Sequence, residues 1–509
     1  MGAAANGSSR LRTTRARLSL VGDANLPVGE LFDRLARIRP QRRLMTEFGV
    51  DASSLTFAEA AERGARWSSS FRRALAPGDR VVLALPNGYS QFLASVAVCR
   101  AGGIAVPVNS RMRPAEVDHI IDDSQAKLVI RDEGELVAGD DDPPAVAPRA
   151  DDVAAIFYSS GTTGKPLGAQ LTHQSLTGLV RLLTLYPARE RGGEAVTGLP
   201  VAHISGFSLL VLMAGLGIPV CLLRRFNPIH ALDAIEQRRA TMFIGVPAMY
   251  RIMVEAGAES RDLRSVRLWA SGADAMPAEL ARRFQAMGAT FRLPFSARPL
   301  SAASFIDGYG TVECAGAAAI RLSPPGPISR RPLAIARPGC TLRVLDENGE
   351  PLRRGNIGEL AVKSRAVMRG YVGQPEATRD VMTPEGWLKT GDLARRSRLG
   401  FVEFVGRKKD IIKHGGYSVY AVEVERVLEM HPEILEAAVI GVHHEQKGEV
   451  PVAVLRRRSE STLCEEELRG WLEERLADYK VPQQFRFVEE LPRNGTDKVR
   501  KGELVRLFV

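Results

Sequence analysis

The sequence predicts an α/β protein with a large N-terminal domain of stacked α/β sheets and a small C-terminal α+β domain. Over roughly the first 400 residues, short runs rich in Val, Ile and Leu alternate with longer segments of helical periodicity, which is typical of α/β units. Between Gly386 and Gly416 the chain becomes basic and glycine-rich, and shorter mixed elements follow. A chain of 509 residues is also long enough for more than one domain.

The first predicted sheet is built from closely spaced elements. Residues 81–86 form an apolar run that predicts a buried strand, and residues 89–99 predict the helix after it. The next strand covers residues 103–108, the next helix residues 114–122, and a further strand residues 127–130. This alternation predicts an open sheet with helices between its strands.

An uncharged segment covers residues 204–223 and is long enough to span a bilayer. Gly217 and Pro219 interrupt it near its end, and Ser205 and Ser208 lower its apolar character. We therefore predict a buried helix followed by a core strand, and no transmembrane segment.

The C-terminal part contains helical patterns at residues 423–429 and 465–476 and strand patterns at residues 437–442 and 451–455. These elements predict the small α+β domain.

The predicted domain boundaries follow the changes in composition. Residues 1–22 are basic and rich in Ala, Ser and Thr, which predicts a disordered tail rather than a transit peptide. Residues 23–407 form the N-terminal domain and residues 408–509 the C-terminal domain.

The charge balance favours anionic ligands over nucleic acid. The chain has 69 Lys and Arg against 59 Asp and Glu, a net charge of +10. No nucleic-acid-binding motif or aromatic platform accompanies this excess, so we expect no nucleic-acid partner.

The cysteines argue against a disulfide framework or a zinc site. There are 5 of them, far apart and without Cys-x-x-Cys spacing. A reducing compartment fits this pattern, so we predict a cytoplasmic location, with contact to a membrane surface as an open alternative.

A glycine- and hydroxyl-rich loop follows the apolar run at residues 154–157. Its backbone N–H groups, hydroxyls and one ammonium group suit a polyphosphate. It is not a Walker A loop, because Ser159 stands at the first glycine position and Pro166 follows Lys165. The candidate phosphate-binding residues are Ser159, Ser160, Gly161, Thr162, Thr163, Gly164 and Lys165.

Five segments in this order resemble the motifs of the adenylate-forming enzymes, which include acyl-CoA synthetases, luciferases and the adenylation domains of peptide synthetases. The resemblance covers nearly the whole chain and implies a large adenylate-forming domain followed by a small mobile one. The segments are residues 159–168, 308–313, 387–392, 406–410 and 492–498.

This resemblance implies an ATP site beyond the phosphate loop. Tyr309 would stack on adenine and Asp307 would accept a hydrogen bond from its amino group. Asp392 would bind the two ribose hydroxyls, and Arg407 would reach the ribose and phosphates. The motif around the adenine also includes Gly308, Gly310 and Thr311.

The resemblance also implies the residues that act in the reaction. Glu313 would hold Mg²⁺ with the phosphates, and Lys498 would bridge the substrate carboxylate and the developing acyl phosphate. His203 would lie beside the acyl pocket and the phosphate exit.

The small domain would rotate between two half-reactions. Lys409 occupies the hinge position of the family. Gly415 and Gly416 would line the channel for the pantetheine of coenzyme A.

The implied function is ATP- and Mg²⁺-dependent conversion of a carboxylic acid to acyl-AMP and then to a thioester of coenzyme A. The apolar segments at residues 207–216 and 242–253 favour a medium- or long-chain fatty acid, although ordinary core helices explain them equally well. Two alternatives remain: an acyl-AMP ligase that loads a carrier protein, and a catalytically impaired paralogue that binds acyl chains or nucleotides.

The sequence departs from the family pattern at four positions. Leu167 replaces the lysine of the phosphate loop, and Val312 replaces the threonine before Glu313. Asp497 replaces the glycine before Lys498, and the proline expected after Tyr420 is replaced by Ala421. A long stretch at residues 291–305 also precedes the adenine motif.

Overall fold

The structure is a computed structural model, and it describes all of the chain except some short segments and the N-terminal 25 residues. The predicted tail over residues 1–22 therefore lies outside the described residues. The described ranges are 26–49, 53–139, 147–159, 166–183, 193–274, 276–292, 299–323, 333–458, 461–493 and 499–508.

The described helices are distributed along the whole chain. They are α1 Val28–Ile38, α2 Phe57–Ala74, α3 Tyr89–Arg100, α4 Pro114–Ser124, α5 His173–Leu183, α6 Ile204–Leu216, α7 Pro228–Gln237, α8 Pro247–Glu255, α9 Ala278–Met287, α10 Pro375–Val381, α11 Ala421–Leu428, α12 Glu465–Glu473 and α13 Lys501–Leu504.

The described strands are mostly short. They are β1 Arg43–Phe48, β2 Ser54–Thr56, β3 Arg80–Leu83, β4 Ile104–Pro107, β5 Leu128–Ile130, β6 Val153–Ser159, β7 Leu167–Thr172, β8 Ala195–Thr197, β9 Val220–Leu223, β10 Met242–Gly245, β11 Leu268–Gly272, β12 Phe291–Arg292, β13 Pro299–Ser301, β14 Ser304–Thr311, β15 Gly316–Ser323, β16 Leu333–Ala336, β17 Cys340–Leu345, β18 Ile357–Ser364, β19 Leu388–Arg396, β20 Val402–Arg407, β21 Ile411–His414, β22 Tyr417–Tyr420, β23 Ile434–His444, β24 Gly448–Arg457 and β25 Phe485–Phe487.

The chain divides into two compact units. The first contains residues 1–328, 336–341 and 363–382, and the second contains residues 329–335, 342–362 and 383–509. Residues 383–407 thus belong to the same unit as the C-terminal residues. The predicted domain boundary after Arg407 stays a prediction.

Two sheets organise the first unit. One has the order β5-β3-β4-β6-β7, with β7 antiparallel to β6 and the other neighbours parallel. The other runs β15-β14-β11-β10-β8-β9-β1-β2 in this unit and is parallel from β14 to β1. The predicted α/β sheets are confirmed, and the parallel strands bring their carboxyl ends to one edge, where such sheets bind ligands.

Local sequence explains how individual elements begin and end. Thr56 caps α2 by accepting the Glu59 N–H at 3.3 Å, and the Glu59 carboxylate accepts the Thr56 N–H at 2.8 Å. The strand predicted over residues 81–86 ends earlier, at Leu83. Pro86 has no N–H with which to continue a ladder.

The uncharged segment at residues 204–223 forms α6 and β9, as predicted. Within the described ranges, no helix combines the length and the apolar character needed to cross a membrane.

The second unit contains two antiparallel arrangements. One has the strand order β17-β18-β19-β20-β16, and the other has the order β22-β21-β24-β23, with β25 parallel to β24. Apolar residues of α11, α12, β23 and β24 share one core cluster. The predicted α+β elements are confirmed, with strands that extend beyond their predicted ends.

The core of the first unit predicts a pH dependence of stability. His173 is 1% exposed, and its Nδ1 accepts the Val28 N–H at 3.2 Å. Burial lowers the pKa of His173 from 6.5 to about 4, although Asp152 opposes the shift. The unfolded chain binds a proton at His173 more tightly than the folded chain does. The free energy of unfolding should therefore fall by about 3 kcal/mol as the pH decreases from above 6.5 to below about 4.

Urea denaturation at several pH values tests this expectation. His173→Gln should flatten the pH dependence between the two pKa values, because glutamine does not titrate. The matched variant His443→Gln, at an exposed position, should retain the wild-type dependence. The same pH dependence of the free energy of unfolding in His173→Gln and wild type would show that His173 is not the group responsible.

Candidate active site

The predicted phosphate loop connects the two strands of a hairpin. Ser159 ends β6 and pairs with Leu167, which begins β7, and its Oγ donates a hydrogen bond to the Leu167 carbonyl over 3.4 Å. At Gly168 an added Cβ would stand 2.8 Å from the Tyr158 ring, so the outgoing strand requires glycine there. The remaining candidates, Ser160 to Lys165, lie outside the described residues.

The predicted adenine motif lies on β14, beside the end of β11. Asp307 is opposite Ser271 on β11 and opposite Arg321 on β15. Arg321 Nη2 donates to Asp307 Oδ2 at 3.2 Å, and both side chains are largely buried. Arg321 therefore holds the Asp307 carboxylate in place.

The rest of the adenine motif is shaped by close backbone packing. At Gly310 an added Cβ would stand 1.9 Å from the Gly316 carbonyl oxygen, which excludes any side chain. Thr311 Oγ1 is buried, and the Thr311 side chain hydrogen-bonds with the nearby Cys314 thiol. Val312, which replaces the expected threonine, is buried with 8% exposure. Gly308 and Tyr309 are partly exposed in the same strand.

Glu313 lies in the short turn after β14. Its carbonyl accepts the Met368 N–H at 2.7 Å, and its Oε1 accepts the Tyr371 hydroxyl at 2.9 Å. Burial, together with the neighbouring Glu313 carboxylate, raises the pKa of Tyr371. The phenol is therefore a hydrogen-bond donor at neutral pH.

His203 caps the first turn of α6. Its Nδ1 accepts the Ser205 N–H at 3.2 Å, which favours the neutral tautomer with the proton on Nε2. Further along the helix, Ser208 Oγ donates to the Ala315 carbonyl at 2.9 Å. Helix α6 thus lies beside the turn that carries Glu313.

The structure brings Asp392 and Arg407 together in the second unit. The two residues pair across β19 and β20, and Arg407 Nε lies 3.4 Å from Asp392 Oδ1. The Asp392 N–H donates to Thr390 Oγ1 at 3.2 Å. Asp392 is 9% exposed, so its carboxylate is held in one orientation.

Glu359 supports the candidate ribose-binding residue Asp392. Glu359 was not identified from the sequence. Its Oε1 accepts the Gly391 N–H at 3.1 Å, and its Oε2 accepts Lys408 Nζ at 3.0 Å. The Glu359 carboxylate therefore joins Gly391, which precedes Asp392 on β19, to Lys408, which precedes the hinge candidate Lys409. The supporting role of Glu359 becomes visible only when distant segments are paired in the structure. The same holds for the contacts of Arg321 and Tyr371.

The hinge and coenzyme A candidates lie close together along the chain. Lys409 lies in the single helical turn that follows β20. Burial lowers the pKa of Lys409, and the nearby positive charge of Arg407 lowers it further. Gly415 and Gly416 connect β21 to β22 with φ values of 55° and 85°. These left-handed angles fit a two-residue hairpin turn, so the backbone conformation favours glycine there.

Lys498 lies outside the described residues. The residues around it are described as far as Arg493 and from Val499, and these two form a β-bridge. The role of Lys498 stays a prediction.

Comparison with known proteins supports the family resemblance along the chain. The model of the AMP-binding enzyme family matches residues 32–144 and 131–372, and the model of the C-terminal domain of these enzymes matches residues 423–498. Feruloyl-CoA synthases from Amycolatopsis and Streptomyces species are 35% identical over 505 residues, which cover 93% of this chain and 98% of each relative.

Solved structures agree with this assignment. ATP-bound MatB from Rhodopseudomonas palustris has a TM-score of 0.81 at 28% identity, covering 94% of this chain and 99% of that one. The MenE o-succinylbenzoate CoA synthetase of Bacillus subtilis with its acyl-adenylate has a TM-score of 0.78 at 26% identity, covering 94% and 98%. The predicted use of ATP, Mg²⁺ and coenzyme A is confirmed at the level of the family. The chain belongs to the AMP-binding, adenylate-forming enzymes, as an ATP-dependent acid–CoA ligase.

Proposed function

We propose that the acid substrate is an aromatic carboxylic acid of the hydroxycinnamate type. The observation that carries this proposal is the 35% identity to feruloyl-CoA synthases over nearly the full length of both chains. A 4-coumarate–CoA ligase of rice is also 28% identical over 537 residues. The predicted fatty-acid substrate receives no support from these relatives, and it stays a prediction.

The packing of α6 weakens the sequence argument for a fatty-acid substrate. Phe207 is fully buried, with its ring centroid 5.3 Å from that of Phe92 and 5.4 Å from that of Phe157. On β10 and α8, Phe243, Tyr250 and Met253 belong to the main core cluster. Much of the apolar surface of these segments therefore stabilises the fold.

A smaller apolar cluster is better placed for the acid. Val246 and Ala273 directly follow the carboxyl ends of β10 and β11, and both pack in one cluster with Leu209 of α6 and Met249 of α8. The cluster thus places apolar side chains at the carboxyl ends of two neighbouring parallel strands. Its position at the carboxyl edge of the parallel strands matches the usual ligand site of such sheets.

Glycines beside this cluster favour a planar substrate. Gly272 and Gly308 pair between β11 and β14, and a Cβ at Gly272 would stand 3.3 Å from the Gly308 carbonyl oxygen. Two neighbouring positions without side chains leave flat backbone surface at the strand ends.

The ATP roles implied by the motifs belong to this proposal. Asp307 and Tyr309 bind the adenine, Asp392 and Arg407 bind the ribose and phosphates, and the hairpin loop from Ser159 to Lys165 binds the polyphosphate. Lys498 neutralises charge between the acid and the α-phosphate. His203 lies near the acid, and Lys409, Gly415 and Gly416 serve the second half-reaction with coenzyme A.

The residues present fit a magnesium ion at Glu313. Among the described residues no group of three or more His, Cys, Asp or Glu side chains could hold a metal. Mg²⁺ in nucleotide enzymes is held by one or two carboxylates together with substrate phosphates, so a single glutamate is sufficient. When bound, the ion neutralises phosphate charge.

An acid panel tests the proposed substrate. Purified protein would be assayed for ATP–pyrophosphate exchange and CoA thioester formation with ferulic, 4-coumaric, benzoic, octanoic and palmitic acids. We expect kcat/KM for the hydroxycinnamates to exceed that for the fatty acids by about 100-fold, a ratio that differences in pocket contacts commonly produce. A higher value for palmitic acid would overturn the proposal, and exchange without CoA thioester would favour a carrier protein as acceptor.

Lys498→Ala provides the catalytic control. We expect exchange with the best acid to fall by about 100- to 1,000-fold, because a charge-stabilising donor is lost at the reacting phosphate. Lys501→Ala would remove a nearby lysine that pairs with Glu425 at 2.7 Å, and it should retain far more exchange. Equal losses in the two variants would argue against a specific role for Lys498.

A further inference from the structure

Residues 368–372 run along β7, the outgoing strand of the predicted phosphate-loop hairpin. Tyr371 forms a β-bridge with Ala169, and the Val372 N–H donates to the Gly168 carbonyl at 2.9 Å. The Gln170 N–H donates to the Gly370 carbonyl at 2.9 Å. Tyr371 is thereby fixed beside the base of the hairpin.

Two further hydrogen bonds hold Tyr371, one through its backbone and one through its side chain. Its backbone N–H donates to Thr378 Oγ1 at 2.9 Å, and its hydroxyl donates to Glu313 Oε1 at 2.9 Å. The Glu313 backbone is held to the same segment, because the Met368 N–H donates to its carbonyl at 2.7 Å. Main chain and carboxylate of Glu313 are therefore both bound by residues 368–371.

A phenol donor on one carboxylate oxygen restricts how the carboxylate can rotate. With Oε1 held by Tyr371, Oε2 is the oxygen that can face a cation. Hydrogen bonds of this kind orient metal ligands, and their loss commonly lowers metal affinity by about 10- to 100-fold.

We propose that Tyr371 is a positioning residue that sets the Glu313 carboxylate for Mg²⁺·ATP and links it to the phosphate-loop hairpin. The inference rests on the proposed role of Glu313. It does not depend on which acid the enzyme activates.

Equilibrium binding in the absence of any acid tests the inference. ATP would be titrated into wild type and Tyr371→Phe by calorimetry, with and without Mg²⁺. We expect the Mg²⁺ concentration required for half-maximal ATP binding to rise about 10-fold in Tyr371→Phe, with little change in metal-free ATP affinity. Unchanged Mg²⁺ dependence in Tyr371→Phe would overturn the inference.

Tyr158→Phe is the matched control. Tyr158 is also half-buried, and its hydroxyl donates to the Asp123 carboxylate at 2.7 Å rather than to Glu313. It should lose comparable thermal stability and retain the Mg²⁺ dependence of the wild type. An equal rise in both tyrosine variants would show a general effect of lost stability and would contradict the inference.

A double-mutant cycle shows whether Tyr371 acts through Glu313. Tyr371→Phe should have little additional effect on Mg²⁺ dependence in a Glu313→Gln background. Fully additive effects of Tyr371→Phe and Glu313→Gln would show that Tyr371 does not act through Glu313, which would contradict the inference. Thr378→Val provides a second route if Tyr371→Phe folds poorly, since it keeps the phenol but removes the acceptor of the Tyr371 N–H, and it should give a smaller rise.

Failure of this inference is distinguishable from failure of the proposed substrate. Wild-type turnover of fatty acids alone would overturn the aromatic-acid proposal and would leave the calorimetric result for Tyr371 unchanged. Normal Mg²⁺·ATP binding by Tyr371→Phe would overturn the inference whichever acid is used.

Discussion

Replacing Asp392 with alanine should raise the KM for ATP by about 100-fold, because two hydrogen bonds to a charged acceptor contribute about 1.5 kcal/mol each or more. The structure supports a preset acceptor, since Asp392 is 9% exposed and its carboxylate lies 3.4 Å from Arg407 Nε. Removing the carboxylate also leaves Arg407 without this partner, which adds to the loss.

Deoxynucleotides make the Asp392 test specific to the ribose. Wild type should use 2′-deoxy-ATP with a KM about 10-fold higher than for ATP, whereas Asp392→Ala should discriminate little between them. Discrimination that persists in Asp392→Ala would show that another group binds the hydroxyls.

Glu403→Gln is a control from the same pair of strands. Glu403 lies opposite Arg395 across β19 and β20, and Arg395 Nη2 is 2.8 Å from Glu403 Oε2. Loss of this ion pair perturbs the same sheet without removing the proposed ribose acceptor. We expect the KM for ATP to stay near the wild-type value.

Replacing Trp269 with alanine should lower the free energy of unfolding by about 3–5 kcal/mol, the usual cost of a large aromatic cavity. Trp269 is fully buried on β11, two residues before Ser271. Its ring centroid lies 5.0 Å from that of Phe284 and 6.1 Å from that of Phe243. No smaller side chain at this position fills the space between these rings.

Trp269→Phe separates the effect of volume from that of the indole N–H. Trp269 Nε1 is buried without a hydrogen-bond partner, so phenylalanine removes an unpaired donor along with some volume. We expect a loss below about 1.5 kcal/mol in urea denaturation, since an unsatisfied donor carries its own cost. A loss as large as that of Trp269→Ala would contradict this explanation.

Trp471→Ala is the control at a less buried tryptophan. Its ring lies in the second unit, under the Arg475 guanidinium at 4.2 Å. Truncation there exposes less apolar surface and leaves a smaller cavity, so we expect a clearly smaller loss than at Trp269.

Much of the secondary structure followed from local sequence. The helix predicted at residues 114–122 is observed at Pro114–Ser124, and the segment at residues 204–223 forms the expected helix and strand. These predictions succeed because apolar periodicity, proline and glycine act over a few residues. Element ends were less accurate, as at Leu83, because strand pairing decides where a ladder stops.

The candidate site was predictable only in part. Motif order placed Asp392 and Arg407 in one site by resemblance, and the pairing of β19 with β20 does bring them together. The fatty-acid expectation relied on apolar segments, but apolarity does not distinguish a substrate wall from a core. Tertiary packing assigned Phe207 to the core.

The sequence by itself determined the α/β class, the order of the motifs and the family they resemble, because these depend on short-range patterns. Only the tertiary structure decided which distant residues support the candidate site. Arg321 reaches Asp307 through the register of β14 and β15, Tyr371 reaches Glu313 across 58 positions, and Glu359 reaches Gly391 across 32. Such contacts depend on strand register and side-chain direction, which no local pattern specifies.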